Sequence, residues 1–381
     1  MKVLVINPWV GNIAEYTKGL CEGLSSVCDV TLVTNYYDSN SSTDYRVIQS
    51  FFIKSEKIER GVIRKALRGY EYYTTYKMII ELAKKNRFDI IHVQWFLMYS
   101  LDLRFIKELK KYSKVVLTAH NVLPHVRGEK YVKKLDAIYN EVDMIFVHGE
   151  SIKNEFIRYF PKYQYKIKIQ NHGEMMSRDT AFDVSAVPQE IQKVVDNSIL
   201  KFIFFGNVFY NKGTDILLKT WIDYFSETDD LLIIAGRSTE KFDTFDELCV
   251  RARDIKNIVV FNTYVEDNLL NYLISNSNIV VLPYRHASMS GVVFTAAQFK
   301  KPIICTDAGS ITEYVQDGEN CFVCAATEED LRKVIVEIQE KCTISRLEEM
   351  GVKLYNHIES NYSWYEISKK LIINYQDLLN A

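Results

Sequence analysis

What the 381-residue sequence lacks narrows its class before any motif is read. No apolar run approaches the roughly 18–20 residues of a membrane span. The opening KVLVINP reads directly as a strand and has neither the charged nor the apolar region of a secretory leader, so a cytoplasmic location is expected. Cysteines number seven, an odd count scattered through apolar patterns. That argues against a disulfide framework and for a reducing compartment. Cys321 and Cys324 form the one CxxC, without a second pair at zinc-finger spacing, and read as core thiols. GxSxG, HExxH and GxxxxGK(S/T) are all missing, and no GxGxxG follows the first strand, which sets a Rossmann dinucleotide site aside. Asp-x-Asp is missing too, and with it the acidic pair that would clamp a metal-bound diphosphate. There is no internal repeat, and the short DSNSST loop at Asp38–Thr43 is the only low-complexity tract.

Charge of one sign is also scarce. The formal net charge is −2, with 25% charged and 48% hydrophobic residues, as in an ordinary soluble globular chain. The halves differ, however. Residues 1–190 carry 28 Lys/Arg against 22 Asp/Glu, and the remainder 19 against 27. A basic first half favours an acidic partner or surface. Within it, Lys54–Arg87 mixes basic residues with Ile63, Leu67, Tyr70, Tyr73, Met78 and Ile79. That pattern fits either a helix on an anionic membrane or, as the favoured reading, a solvated helix with one face on the core.

What is present is a long alternation of strands and helices. Strands are predicted at Lys2–Asn7, Asp29–Thr34, Ile90–Gln94, Lys114–Thr118, Met144–Val147 and Ile167–Gln170, with helices at Asn12–Leu24, Ile63–Asn86 and Asp102–Tyr112 between them. The aperiodic stretch Glu174–Ile199 reads as a connection. A second series follows at Phe202–Phe205, Leu231–Ala235, Ile258–Phe261, Ile279–Pro283, Pro302–Thr306 and Cys321–Val323, then a helical tail at Trp364–Leu379. The expectation is an α/β chain of two doubly wound Rossmann-like domains facing a central cleft, residues 1–172 and 173–360, with a tail helix at 361–381 packing back on the first.

Two strand–glycine–helix corners concentrate the chemistry. In KFIFFGNVFYNKGTDILLKTWIDYF (Lys201–Phe225) a buried strand stops at Gly206, a loop carries Asn207 and Lys212, and Gly213-Thr214 opens a helix. In NIVVLPYRHASMSGVVFTAAQF (Asn278–Phe299) a second buried strand ends at Pro283, and Ser290-Gly291 begins the next helix. Unpaired amides and partial positive charge at a helix start attract anions, so two such corners and one lysine suit a diphosphate. Thr295 faces either core or ligand, and Glu313 reads as a first-turn glutamate complementing a helix dipole. Gly11-Asn12 forms a weaker corner after the first strand. His120, in TAHNVLPH, lies beyond the carboxyl end of a strand, where open parallel sheets bind ligands. A satisfied structural histidine is the alternative there. His125 would be its nearest metal-ligand partner, but no further ligands accompany the pair. His172 reads as marking the domain junction.

With these residues in view, the chain resembles the GT-B retaining glycosyltransferases of group 1, family 4, over nearly its whole length. FFGNVFYNKGTDILL resembles that family's strand–G–x5–KG–helix segment. LPYRHASMSGVVFTAAQFKKPIICTDAGSITEYVQDGENCFV resembles its nucleotide-sugar segment, and NPWVGNIAEYTKGLCEGL and TAHNVLPH its first loop and histidine segments. There are departures: Asn207 stands where the family usually has Arg, and Ala287 and Thr295 where it has paired glutamates. SMSG at Ser288–Gly291 resembles the SxSG-type loop of some branches. The resemblance implies that Lys212 and the amides near Gly11, Asn12, Ser290 and Gly291 hold a diphosphate, and that His120 contacts the sugar. Gly206, Asn207, Gly236, Tyr264, Val292 and Thr295 would line the rest of the donor site.

The implied reaction moves a sugar from a UDP- or GDP-type nucleotide sugar to a glycan or lipid-linked acceptor. Configuration would be retained and no metal or other cofactor used, in surface polysaccharide synthesis, with no nucleic-acid partner. A peripheral contact at the inner membrane face, through the basic first domain, is compatible with it. The alternatives are a sugar-nucleotide epimerase and a non-catalytic nucleotide-sugar-binding subunit.

Overall fold

A computed structural model of the chain describes residues 1–9, 12–35, 43–123, 128–173, 179–238, 240–286 and 290–381. It divides into two compact units, Met1–Met176 with Asn361–Ala381, and Ser177–Ser360.

The first unit holds seven strands: β1 (Lys2–Asn7), β2 (Asp29–Thr34), β3 (Arg46–Gln49), β4 (Ile90–Val93), β5 (Lys114–Thr118), β6 (Met144–Val147) and β7 (Ile167–Ile169). All pair in parallel in the order β3-β2-β1-β4-β5-β6-β7. Such a sheet is covered on both faces, so its strands are apolar throughout rather than alternating. β1 shows this directly: Leu4 and Ile6 enter one core, Val3 and Val5 the opposite one. The strand order reverses between β1 and β4, the switch point at which open sheets leave a crevice.

The second unit repeats the plan with β8 (Lys201–Phe205), β9 (Leu231–Ala235), β10 (Ile258–Phe261), β11 (Ile279–Leu282), β12 (Ile303–Thr306) and β13 (Cys321–Cys324). Their order is β10-β9-β8-β11-β12-β13, again all parallel, with the reversal between β8 and β11. Cys321 is buried within β13, Cys324 half-buried, and neither is in a disulfide.

The tail helix Trp364–Asn380 lies against helix Asn12–Ser25, its Trp364, Ile367, Leu371 and Tyr375 joining the core that also holds Tyr16, Leu20 and Leu24. Three glycines make room for Trp364. A Cβ at Gly19 would stand 2.1 Å from its Nε1, one at Gly173 2.5 Å from its ring, and one at Gly23 2.3 Å from its backbone oxygen. Tyr375, further along the same helix face, meets His92 Nδ1 at 2.6 Å.

Four expectations change. Strand β3 is additional: RVIQ is half-exposed at the sheet edge and lacks a clear apolar run. Residues 174–199 are more than a connection, because Gln189–Asp196 forms a helix, preceded by a 3-10 turn at Val184–Ala186 that Asp183 caps. The helix predicted at Asp102–Tyr112 spans Tyr99–Leu109 instead. Asp102 lies inside its first turn rather than ahead of it, accepting hydrogen bonds from the Met98 amide (2.8 Å) and the Tyr72 hydroxyl. Glu313 closes a 3-10 turn, Ile311–Glu313, and opens no α-helix.

Candidate functional site

The two corners read from the sequence follow β8 and β11, the adjacent strands on either side of the second switch point. Gly213 adopts φ +62, and a Cβ there would fall 1.8 Å from the Pro283 carbonyl oxygen. Both the left-handed backbone and the close approach of the neighbouring loop therefore require glycine. The loops are then stitched together. Arg285 and His286 amides donate to the Asn211 carbonyl at 2.8 and 3.3 Å. The Arg285 guanidinium makes a bidentate pair with Asp215, 2.7 Å on each arm, and donates to the Tyr210 carbonyl at 2.7 Å. Charge-assisted bonds of this kind are worth about 1.5–3 kcal/mol.

This clamp sets the lysine. Lys212 Nζ stands 3.8 Å above the centroid of the buried Tyr284 ring, and the Tyr284 hydroxyl is 3.0 Å from Ser290 Oγ. Lysine, tyrosine and the start of helix Gly291–Gln298 thus meet at one corner. Among the described residues no carboxylate pairs with Lys212. Burial lowers its ammonium to about 8, so the charge is held without an anion. Gly206, at φ +107, brings its backbone beside Val292, where a Cβ would be 3.7 Å from the valine methyl. Gly236 is buried against the Gly206 carbonyl, 1.8 Å from where its own Cβ would be.

The structure therefore gathers Gly206, Lys212, Gly236, Ser290, Gly291 and Val292 at one corner. Asn207 is exposed at its rim. Thr295 turns into its own helix, donating to the Gly291 carbonyl at 3.3 Å. Tyr264 follows β10 and is exposed. Asn12 begins the first helix, while Gly11, His125, Ala287 and Ser288 lie outside the described residues. Reading the sequence passed over Tyr284, Arg285 and Asp215. LPYRH carried the signal: a polar pair placed directly after a buried strand, where the chain leaves the sheet.

The first unit places His120 in a different setting. Histidines occur at the ends of four successive strands: His92 in β4, His120 after β5, His148 after β6 and His172 after β7. His148 Nε2 lies 3.1 Å from His120 Nδ1, and His148 Nδ1 lies 3.0 Å from the Gln170 carbonyl. His120 Nε2 lies 3.3 Å from the Gln94 amide, whose Oε1 is the end set toward it. Tyr16 packs edge-on against His120 and His172 at 4.8 Å each. Burial is the main cause that lowers all four imidazoles, His148 to about 4, His92 and His172 to about 3, and His120 well below its usual range. They are neutral, and neutrality fixes the tautomers. His148 must donate from Nδ1 to Gln170, so its Nε2 accepts from His120 Nδ1–H. His120 Nε2 then needs a donor, which turns the Gln94 nitrogen toward it.

Sequence reading took His120 and His172 separately and passed over His92 and His148. Spacings of 28, 28 and 24 residues across His92, His120, His148 and His172 follow the length of a βαβ unit and could have exposed the set. His172 is buried within the first unit beside Trp364 (ring centroids 6.2 Å). Trp9 and Trp95, which follow β1 and β4 at the first switch point, lie 5.9 Å apart. Among the described residues no group of three or more His, Cys, Asp or Glu converges as a metal site.

Two doubly wound parallel sheets, one with a lysine at its switch point that no carboxylate among the described residues pairs, define a protein of the GT-B glycosyltransferase class. Residues 13–172 match the family model Glycosyltransferase Family 4, and residues 200–341 match Glycosyl transferases group 1. Between them these models span most of the chain, which belongs with the group 1 glycosyltransferases. A Klebsiella pneumoniae relative, described as an uncharacterized 41.2 kDa protein in the cps region, is 25% identical over 70% of this chain and 73% of its own length. Among solved structures, a glycosyltransferase from Rickettsia africae superposes with a TM-score of 0.70 at 15% identity, covering 99% of this chain and 98% of its own. Anabaena HepE in complex with UDP superposes with a TM-score of 0.67 at 13% identity, covering 99% and 100%.

Proposed function

We propose that this glycosyltransferase moves a sugar from a nucleoside-diphosphate donor of UDP or GDP type to a glycan or lipid-linked acceptor, with retained anomeric configuration, in surface polysaccharide synthesis. The observation that carries the proposal is the half-buried ammonium of Lys212, which no carboxylate among the described residues pairs, beside Tyr284, Ser290 and the start of helix Gly291–Gln298. A departing diphosphate is the dianion such a corner would stabilise, through one charge-assisted contact and the amides of the helix N-terminus. Lys212 and those amides would neutralise the leaving charge, so turnover should survive chelation of divalent ions. His120 would contact the sugar, and Trp9 and Trp95 offer aromatic faces on which a pyranose could stack. Solved neighbours support the donor class: HepE has been captured with UDP and with UDP-glucose, and an E. coli trehalose-6-phosphate protein with UDP-2-fluoro glucose. The cps-region relative supports the polysaccharide setting.

A peripheral membrane contact belongs to the same proposal. No helix among the described residues is long and apolar enough to cross a membrane. Helix Val62–Asn86, however, leaves Val62, Ile63, Tyr70 and Tyr73 exposed on one side, near Lys65 and Lys77. The sequence alone favoured a solvated face here. An apolar stripe with basic flanks instead supports docking on an anionic bilayer, where a lipid-linked acceptor would be found.

Thermal unfolding of the full chain with UDP, GDP and ADP tests the donor assignment. A nucleoside diphosphate at about 100 times its Kd should add roughly 2.7 kcal/mol of stability. If none raises the transition, the corner is not a diphosphate site. Proton NMR of the transferred anomeric centre then decides between retention and inversion, and product formation from donor alone would favour an epimerase.

A further inference from the structure

Beyond the carboxyl ends of β4 and β5, directly beside His120, the first unit contains a cavity of about 70 Å³. Its walls are mostly apolar, with Phe96, Leu117, Val122, Leu135 and Tyr139 among them, and Gln94 forms part of its polar side. Gln94 is fully buried; its Oε1 is set toward His120 Nε2, and its Nε2 has no hydrogen-bond partner among the described residues. A buried amide left half satisfied costs stability, so a site that retains one invites a ligand. The neutral histidine network reverses that orientation, because the two ends of an amide have the same shape and the hydrogen-bond network decides between them. With the amide nitrogen committed to His120 Nε2, the carbonyl oxygen is left over, and it asks for an N–H donor.

Size narrows the group further. A cavity of about 150 Å³ accommodates a six-carbon ring, so roughly half that volume holds about three heavy atoms. A ligand that places a methyl and a carbonyl in an apolar pocket while presenting an N–H to a buried amide carries an acetamido group. A sugar hydroxyl or a 6-deoxy methyl is too small to fill the space. A lipid tail is too large.

We infer that this cavity is the recognition pocket for the N-acetyl group of a 2-acetamido sugar, seated with its methyl among Phe96, Leu117 and Leu135 and its N–H on Gln94. The inference rests on the glycosyltransferase reading and names a substrate class for it. The acetamido sugar is either the one carried on the nucleotide or the acceptor, and the pocket chemistry is the same for both.

Ligand binding to the full chain, followed by saturation-transfer NMR and calorimetry, tests it in two arms. One compares UDP-N-acetylglucosamine with UDP-glucose. The other compares the methyl glycosides of N-acetylglucosamine and glucose, each in the presence of UDP. In one arm the acetylated sugar should bind at least tenfold more tightly, with its methyl singlet receiving the strongest saturation. Gln94→Leu, which keeps the shape and removes the amide, and Leu135→Phe, which fills the cavity, should each reduce the preference below threefold while binding of UDP alone is unchanged. Equal binding of acetylated and plain sugars in both arms overturns the inference, as does a preference that persists in both variants. Binding of UDP alone reports on the diphosphate corner, so a chain that binds UDP but ignores the acetyl group loses this inference and keeps the reading beneath it.

Discussion

The two units share one plan, a parallel sheet whose order reverses beside its first strand, yet their ligand-facing ends are built on opposite principles. In the second unit the loops after β8 and β11 are pinned by the Arg285–Asp215 pair, and a bare ammonium is kept at the corner. In the first, burial disfavours charge: four imidazoles are held neutral among Tyr16, Trp95 and Trp364, and a mostly apolar cavity lies beside them. The fold supplies the position of a crevice, and the residues that end the strands supply its chemistry. One unit is suited to an anion, the other to the uncharged face of a sugar.

Acid should break this comparison most forcefully. His92, His148 and His172 are lowered to about 3, 4 and 3. A histidine lowered on folding contributes nothing against unfolding above its unfolded value of about 6.5, and stability is lost as pH falls from there toward the folded value. The loss reaches roughly 3 kcal/mol for each of the three by pH 4 as an upper figure. Denaturant midpoints followed through hydrogen exchange should show the first unit failing between pH 6.5 and 4, while the second, whose two histidines lie outside any such cluster, changes less. Equal acid sensitivity of both units would contradict the neutral network.

The next effects concern packing and charge. Gly23→Ala pushes a methyl into the Trp364 backbone and should cost about 1–3 kcal/mol in urea unfolding. Gly69→Ala, on an open helix face, should instead stabilise by up to about 1 kcal/mol. In the second unit, Lys212→Ala removes a contact worth about 1.5–3 kcal/mol and should lower kcat/KM roughly ten- to a hundred-fold. Because that ammonium titrates near 8, diphosphate affinity should weaken as pH rises through 8, the opposite limb from the histidines. An affinity flat to pH 9.5 would remove Lys212 from the site. The smallest effect belongs to the helix face of the first unit. Ile63→Glu with Tyr70→Glu should reduce binding to vesicles of phosphatidylglycerol and phosphatidylcholine by roughly tenfold, through lost apolar burial and added repulsion. Unchanged partitioning in a flotation assay would return that face to solvent.

Much of this was legible early because it is local. Buried parallel strands are unbroken apolar runs, so all twelve strands read from the sequence could be bounded to within one residue at each end. β3 escaped because an exposed edge strand has no such run. Gly213 and Lys212 stood out because a glycine at a helix start after a strand is a pattern within a few residues. Tyr284, Arg285 and Asp215 did not, since a cation over a ring and a pair seventy positions apart have no local signature.

By itself the sequence determined the alternation of strands and helices, the two phosphate-suited corners and the uneven spread of charge, because periodicity and turn chemistry are written within a dozen neighbouring residues. Only the tertiary structure decided that the two corners are adjacent, that four histidines from successive strands end in one buried cluster, and that Trp364 fits against Gly19, Gly23 and Gly173. Those depend on strand order and on the return of the tail helix, and contact between distant segments is fixed by how whole elements pack, not by what any one of them prefers alone.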